Sequence, residues 1–150
     1  MGGVALHGES GVASPAYRAF ISYSHVDQIT ATRLHRQLER YRLPKRLVGE
    51  ETARGPVPDR LTPIFRDLDE LPASDDLNAE IKAALAASGA LIVLCSPSAR
   101  ASRWVNREIE LFRDIHGNRR PILSALVDGA PETAFPPQLT AHGAEPVAAD

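Results

Sequence analysis

Short apolar runs alternate along the chain with longer stretches in which apolar residues recur at helical spacing. Five runs have the length and composition of β-strands: Ala19–Ser24, Leu61–Phe65, Ala90–Cys95, Ile122–Val127 and a last one beginning at Pro146–Ala149. The unbroken apolar run at 90–95 is typical of a central parallel strand that is covered on both faces. Pro63 has no amide N–H, which predicts that the second strand lies at a sheet edge.

Two stretches between the strands predict helices with one apolar face. The apolar residues of the first are Val26, Ile29, Leu34, Leu38 and Tyr41. The second stretch begins after Ser74, a candidate N-cap that Asp75 and Asp76 follow at the positive end of the helix dipole. Its inward positions are Leu77, Ile81, Ala84, Leu85 and Ser88.

A third predicted helix has sequence signals for both its start and its end. Ser102 is a candidate N-cap, the helical pattern runs from about Arg103 to His116, and Gly117 is predicted to end it. Its inward residues are Val105, Ile109 and Phe112.

Strands that alternate with helices predict an α/β fold. We expect a flavodoxin-like parallel sheet of about five strands in the order 2-1-3-4-5, with helices on both faces. Residues 1–16 are expected to be a flexible lead and 17–150 a single domain, interrupted by a long loop at 43–60 that is rich in proline and glycine. The predicted fifth strand at the end of the sequence has no helix to cover it, so we expect either a fragment of a longer protein or an atypical tail.

Composition limits the expected partners and cellular location of the protein. Its formal net charge of −2 gives no indication of a general nucleic-acid binder, and no direct nucleic-acid partner is expected. Cys95 is the one cysteine, so no internal disulfide can form, and a reducing cytoplasm is the expected location. The chain has no signal-peptide core and no apolar run near the roughly 20 residues of a membrane span, so no membrane partner is expected.

Ligands of open α/β sheets bind beyond the carboxyl ends of the strands, at the point where the strand order reverses. Here that point falls between the strands at 19–24 and 90–95. Trp104 and Glu108 follow the second of these strands and are four residues apart on one helix, which places them on the same face. A carboxylate beside an indole can hold charge in a partly dry pocket, whereas the alternative interpretation makes Trp104 a packing residue and Glu108 a solvated surface charge.

Four segments resemble, in order over about 19–128, the motifs of bacterial TIR (Toll/interleukin-1 receptor) domains of the NAD-cleaving type. They are Phe20-Ile-Ser-Tyr-Ser24 of the first strand, Arg66-Asp67 with Pro72 of the BB loop, Ser88 with Leu91-Ile-Val-Leu-Cys-Ser96 of the third strand, and Ser102-Arg-Trp-Val-Asn-Arg-Glu-Ile109 of the Ser-x-Trp-x-x-x-Glu element. The chain departs from the family pattern in two places. Ala73 follows Pro72 where the BB loop usually has glycine, and the stretch 43–60 is longer than in compact members.

The resemblance implies an NAD glycohydrolase or cyclase that is activated by TIR self-association in bacterial antiphage signalling. Glu108 is then the catalytic glutamate and Trp104 the residue that contacts the nucleotide. The other implied substrate-binding residues are Tyr23, Ser24, Arg66 and Asp67. NAD is the substrate, no cofactor or metal is implied, and the expected protein partner is a second copy of the chain. The loop 66–72 is expected to gate the site and to touch a neighbouring protomer.

Nicotinamide leaves as a neutral molecule, so the main cost of the reaction lies in the cationic, oxocarbenium-like ribosyl centre. A carboxylate close to the ribose stabilises that charge. Capture by water gives ADP-ribose, and capture by the adenine or a ribose hydroxyl gives a cyclic product. Two alternatives stay open: a non-catalytic homotypic TIR–TIR scaffold, and another nucleoside-handling enzyme of the deoxyribosyltransferase type.

Several other chemistry-bearing residues have simpler explanations. His25 is expected to be exposed after the first strand, and Cys95 to be a small buried hydrophobe without a base partner. Arg66 either contacts phosphate or pairs with a nearby acid. One group of acids resembles a cation site but is better explained by a loop and a helix N-terminus, and its members are Asp67, Asp69, Glu70, Asp75 and Asp76.

Overall fold

The computed structural model describes residues 15–53, 55–66, 78–140 and 148–149. The strands are β1 (Ala19–Ser22), β2 (Glu51–Thr52), β3 (Gly55–Pro56), β4 (Ile64–Arg66), β5 (Leu91–Cys95), β6 (Ile122–Leu126) and β7 (Ala148–Ala149). The helices are α1 (Gln28–Arg40), α2 (Ala79–Ala86), α3 (Pro97–Ala101), α4 (Arg103–His116), α5 (Pro131–Ala134) and α6 (Pro137–Thr140), and a 3-10 turn covers His25–Asp27. Within the described ranges, no helix is both long and apolar enough to cross a bilayer.

Five strands form one parallel sheet in the order β4-β1-β5-β6-β7. Apart from the small hairpin β2–β3, this is the predicted order 2-1-3-4-5. β5 lies in the middle, as its unbroken apolar sequence predicted, and β4, which follows Pro63, lies at an edge. The fold-class prediction is therefore confirmed.

Helices cover both faces of the sheet because successive strand side chains point to opposite sides. Phe20, Leu91 and Val93 belong to a core cluster with residues of α2 and α4. Ala19, Ile21 and Leu94 belong to a second cluster with residues of α1. The face that packs on α4 and the face that packs on α1 are called here the α4 face and the α1 face.

The apolar face predicted for the first helix is only partly correct. Leu34 and Leu38 pack against the α1 face, but Val26 and Ile29 are 74% and 75% exposed, and Tyr41 is exposed as well. Val26 lies in the 3-10 turn before α1, so it is out of phase with the helix. Ile29 precedes the buried Ala31 by two residues, and two steps of about 100° turn it to the opposite side of the helix.

Two side chains of α1 protect the free edge of β4. The backbone N–H of Ile64 donates to Glu39 Oε2 at 2.9 Å, and its carbonyl oxygen lies 2.8 Å from His35 Nε2. An edge strand with open backbone groups can pair with another chain, and these contacts satisfy the outward groups of Ile64.

The two helices on the α4 face have side-chain N-caps. Asn78 accepts from the backbone N–H of Ile81 at 2.8 Å and caps α2, four residues after the predicted cap Ser74, which lies outside the described residues. α4 has the predicted bounds: Ser102 Oγ accepts from the N–H of Val105 at 3.1 Å. Gly117 follows the helix with a φ of 61°, a conformation that glycine adopts without strain.

The sequence predicts one long loop at 43–60. This stretch instead contains the antiparallel pair β2–β3, and an isolated bridge between Arg42 and Arg60 closes its base. The bridge brings Arg60 beside the end of α1 just before the chain enters β4.

His116, the last residue of α4, is buried between helices. Its Nε2 lies 3.0 Å from the carbonyl oxygen of Leu85, and its ring packs on Phe112 with centroids 4.5 Å apart. Burial lowers the pKa of His116 below its ordinary 6.5, and the charges of Arg120 and Arg119 act in the same direction, whereas the Leu85 hydrogen bond acts against it. The folded state therefore favours the neutral imidazole.

We expect this histidine to make the protein less stable in mild acid. Above pH 6.5 the imidazole is neutral in both states and its contribution to the free energy of unfolding is fully present. Below pH 6.5 the unfolded chain binds a proton that the folded chain takes up only at lower pH, so stability falls. Urea denaturation across this range should show a smaller loss of stability in His116→Gln than in the parent. An identical loss in both proteins would contradict the assignment.

Candidate active site

The carboxyl ends of β1 and β5 open into the crevice where the strand order reverses. Ser24 starts the turn after β1, and its Oγ accepts from the N–H of Val26 at 3.4 Å. Ser96 starts α3 after β5, and its Oγ accepts from the N–H of Ala99 at 3.0 Å and donates to Asp27 Oδ2 at 2.6 Å. The Ser96–Asp27 contact joins the two turns that border the crevice.

Glu108 lies on the sheet side of α4 and is only 2% exposed. Its Oε1 accepts a hydrogen bond from Ser22 Oγ at 2.7 Å, and Ser22 is fully buried. Ser22 follows Phe20 by two residues on β1, so both side chains point to the α4 face. The interpretation of Glu108 as a solvated surface charge is therefore wrong.

A buried carboxylate is costly unless hydrogen bonds compensate for its lost hydration. Ser22 supplies one such bond from the last residue of β1, beside the point where the crevice opens. Glu110, two residues after Glu108, has a different environment: it is partly exposed and pairs with Arg107 at 3.1 Å. The two glutamates of one helix turn thus form a matched pair of buried and solvated carboxylates.

Trp104 precedes Glu108 by one turn of α4, as the spacing predicted. It is half-buried and packs against the core cluster of the α4 face. Packing therefore accounts for part of the indole surface, and its contact with a nucleotide stays a prediction.

The side chains at the end of β1 diverge. Tyr23 packs against the cluster of the α1 face, whereas Ser22 and Glu108 lie on the α4 face. Ser24 is 9% exposed and its side chain serves as the cap of the following turn. His25 is exposed, as expected.

Arg66 does not lie on the same face of the sheet as Glu108. It follows Ile64 by two residues on β4 and, like Ile64, points to the α1 face, where it lines a cavity beside α1. Asp67, the rest of the predicted gating loop and the acids that resemble a cation site lie outside the described residues. Within the described part of the chain, no group of three or more histidine, cysteine, aspartate and glutamate residues is arranged to hold a metal ion.

Cys95 is fully buried at the end of β5. Burial raises the pKa of its thiol to about 12, although a backbone hydrogen bond at Ala125 acts in the opposite direction. A thiol with this pKa has almost no thiolate at neutral pH and is a poor nucleophile. The expectation of an inert core cysteine agrees with this environment.

The sequence interpretation missed three residues of the crevice: Ser22, Asp27 and Ser96. Ser22 had a detectable signal, because it is a hydroxyl residue on the inward alternation of an otherwise apolar strand. The Ser96–Asp27 contact spans 69 positions of the chain and had no local signal.

Comparison with known proteins bears on the family and the fold of the chain. A family model described as TIR domain matches residues 19–147. A protein of Actinoplanes sp. (strain SE50/110) named NAD(+) hydrolase ApTIR is 36% identical over 144 residues, a match that covers 87% of this chain and 18% of that protein. The chain thus spans less than a fifth of the length of this curated relative.

Among solved structures, the TIR domains of the activated Roq1 resistosome, which directly recognises the pathogen effector XopQ, align with a TM-score of 0.56 and 20% identity. The match covers 79% of this chain and 61% of that one, and at this identity it bears on the fold alone. The strand order, the crevice at its reversal and the family model lead to one conclusion: the chain belongs to the TIR domain family.

Proposed function

We propose that this chain hydrolyses NAD at the bond between nicotinamide and ribose, with Glu108 as the catalytic carboxylate. The observation that carries the proposal is the buried pair of Glu108 and Ser22 at the crevice between β1 and β5. A carboxylate removed from water acts strongly on nearby charge, because the local dielectric screens it less. The similarity to a relative named NAD(+) hydrolase favours NAD as the substrate.

In the proposed reaction, the bond between ribose C1′ and the nicotinamide nitrogen breaks, and its electron pair leaves with the nitrogen. Nicotinamide is then neutral, and the positive charge remains on the ribosyl centre. The Glu108 carboxylate stabilises that charge more strongly in the transition state than in the ground state, which is the condition for catalysis. Water adds to C1′ and loses a proton, giving ADP-ribose. Capture by a group of the substrate itself gives a cyclic product with the same loss of nicotinamide.

Ser22 has the role of a positioning residue, because its hydroxyl fixes one oxygen of Glu108. We expect Ser22→Ala to lower kcat for nicotinamide release about tenfold, with a smaller change in KM, since a hydrogen bond to a charged group is lost. Steady-state kinetics on protein shown to be folded provide the test.

Ser124→Ala is the matched control, because Ser124 is a fully buried serine on β6, two strands away from β1. It should leave kcat close to that of the parent. An equal loss of kcat in both variants would indicate a general effect of removing a buried serine and would contradict the positioning role of Ser22.

The proposal extends to assembly. Val26 and Ile29 are about three-quarters exposed on the turn and helix that border the crevice, and together they offer apolar surface for a second copy of the chain. Self-association that completes the site would make turnover depend on protein concentration. We propose that this assembly-dependent activity serves bacterial antiphage signalling.

Substrate choice tests the proposal against the nucleoside-handling alternative. The chain is incubated separately with NAD, with ribonucleosides and with deoxyribonucleosides, and the released bases are identified by mass spectrometry. We expect nicotinamide from NAD and no free base from the nucleosides. Release of bases from nucleosides with NAD left intact would replace the proposed function with that of a nucleoside hydrolase or transferase.

A further inference from the structure

A cavity of about 430 Å³ lies on the α1 face between α1 and the edge strand β4. Four arginines line it: Arg36 and Arg40 from α1, Arg60 from the base of the hairpin, and Arg66 from the end of β4. Among the described residues, Glu39 is the one carboxylate that also lines it. The cavity is on the opposite face of the sheet from Glu108 and Ser22.

The described residues balance the charges of this cavity poorly. Glu39 uses Oε2 to accept the N–H of Ile64 at 2.9 Å, with His35 Nε2 3.6 Å away. The ion pairs of the described part of the chain include none of the four arginines. Like charges that converge without counter-charges repel one another, so this arrangement favours an anion between them.

Arg66 supplies a second, independent observation. Its Nε is buried and has no hydrogen-bond partner among the described residues. A buried donor that is left unpaired costs free energy, and native proteins seldom leave one without a reason. An acceptor that enters the cavity would satisfy this N–H together with the arginine charges.

We propose that this cavity is a binding site for a small phosphate-bearing anion with two or more negative charges, such as a diphosphate. The planar guanidinium fork donates paired hydrogen bonds to phosphate oxygens, which makes arginine the preferred residue for this group. The volume is in the range of small-molecule sites, roughly 300–1,000 Å³. Because the cavity and the Glu108 crevice lie on opposite faces of the sheet, this site can exist whether or not the chain cleaves NAD.

Calorimetric titration with pyrophosphate, a probe that has no nicotinamide bond to cleave, tests the site directly. We expect saturable binding of one pyrophosphate per chain at low salt, weakened as the ionic strength rises. Arg36→Gln and Arg40→Gln should each weaken binding about tenfold through the loss of a charge-assisted hydrogen bond. Both variants should keep the nicotinamide release of the parent, so failure of this site is distinguishable from failure of the proposed function.

Arg33→Gln is the matched control, since Arg33 is an exposed arginine of α1 that does not line the cavity. It should bind pyrophosphate with the parent's affinity. Equal affinities in the parent, Arg36→Gln and Arg40→Gln would overturn the proposal, as would an equal loss in Arg33→Gln, which would indicate a diffuse effect of surface charge.

Two further probes identify the source of the phosphate. If the ligand is a nucleotide, we expect ADP to bind at least as tightly as pyrophosphate. If the ligand is an inorganic polyanion, we expect ADP to bind more weakly than pyrophosphate. Either order of affinities supports the site. A single-stranded oligonucleotide whose affinity grows with its length, while pyrophosphate fails to bind, would instead indicate an extended nucleic-acid surface and would overturn the small-ligand assignment.

Discussion

Glu108→Gln is expected to lower the rate of nicotinamide release from NAD by roughly 10²–10³, the range found when one charge-stabilising group is removed from an active site. Glutamine keeps the shape of the side chain and an oxygen that can accept from Ser22 Oγ, so the packing of α4 should be retained. What is lost is the negative charge. The comparison therefore measures electrostatic stabilisation of the ribosyl centre with little contribution from unfolding.

Glu110→Gln is the control for this substitution. It removes the same charge two residues further along α4, where the carboxylate is partly exposed and paired with Arg107. Its effect on kcat should stay within about twofold, because an exposed charge is screened by solvent. Equal activity in Glu108→Gln and the parent would show that Glu108 is not the catalytic carboxylate.

Phe112→Ala is expected to have the largest effect on stability, a loss of about 3–5 kcal/mol in the free energy of unfolding. Phe112 is fully buried on α4, packs in the core cluster of the α4 face and contacts the ring of His116. Removing the ring costs its transfer free energy and leaves a cavity that the neighbouring helices fill only in part. Because α4 also carries Glu108, partial loosening of the helix should lower activity before the chain unfolds globally.

Urea denaturation followed by circular dichroism gives the measurement for Phe112→Ala. Leu123→Ala is the control, since Leu123 is a large apolar residue that is 45% exposed on β6, and its loss should cost about 1 kcal/mol or less. Equal effects of the two substitutions would contradict the placement of Phe112 in the core.

The predictable part of this fold came from local patterns. The apolar run of β5 and the proline before β4 indicated a central and an edge strand, and both positions are confirmed. α4 was predictable to the residue because Ser102 caps it and Gly117 ends it. Caps and strand runs act over a few residues, so a single sequence contains the information.

The less predictable part of the fold and the site depends on contacts between distant residues, or on which face of a helix or strand a residue occupies. The pairing of Ser22 with Glu108 spans 86 positions, and no local rule connects them. Val26 and Ile29 are predicted on the buried face, but Val26 lies in the 3-10 turn before α1, and Ile29 is on the side of α1 opposite to Ala31. Arg66 was grouped with the NAD-site residues by its place in a motif, whereas strand alternation turns it to the α1 face.

The most direct test of the central claim is nicotinamide release from NAD, measured by mass spectrometry over a wide range of protein concentrations with Glu108→Gln in parallel. We expect the parent to release nicotinamide at a rate that rises faster than linearly with protein concentration, and the variant to release almost none. No release by folded parent protein at any concentration would contradict NAD hydrolysis by this chain and would leave the scaffold function as the better explanation.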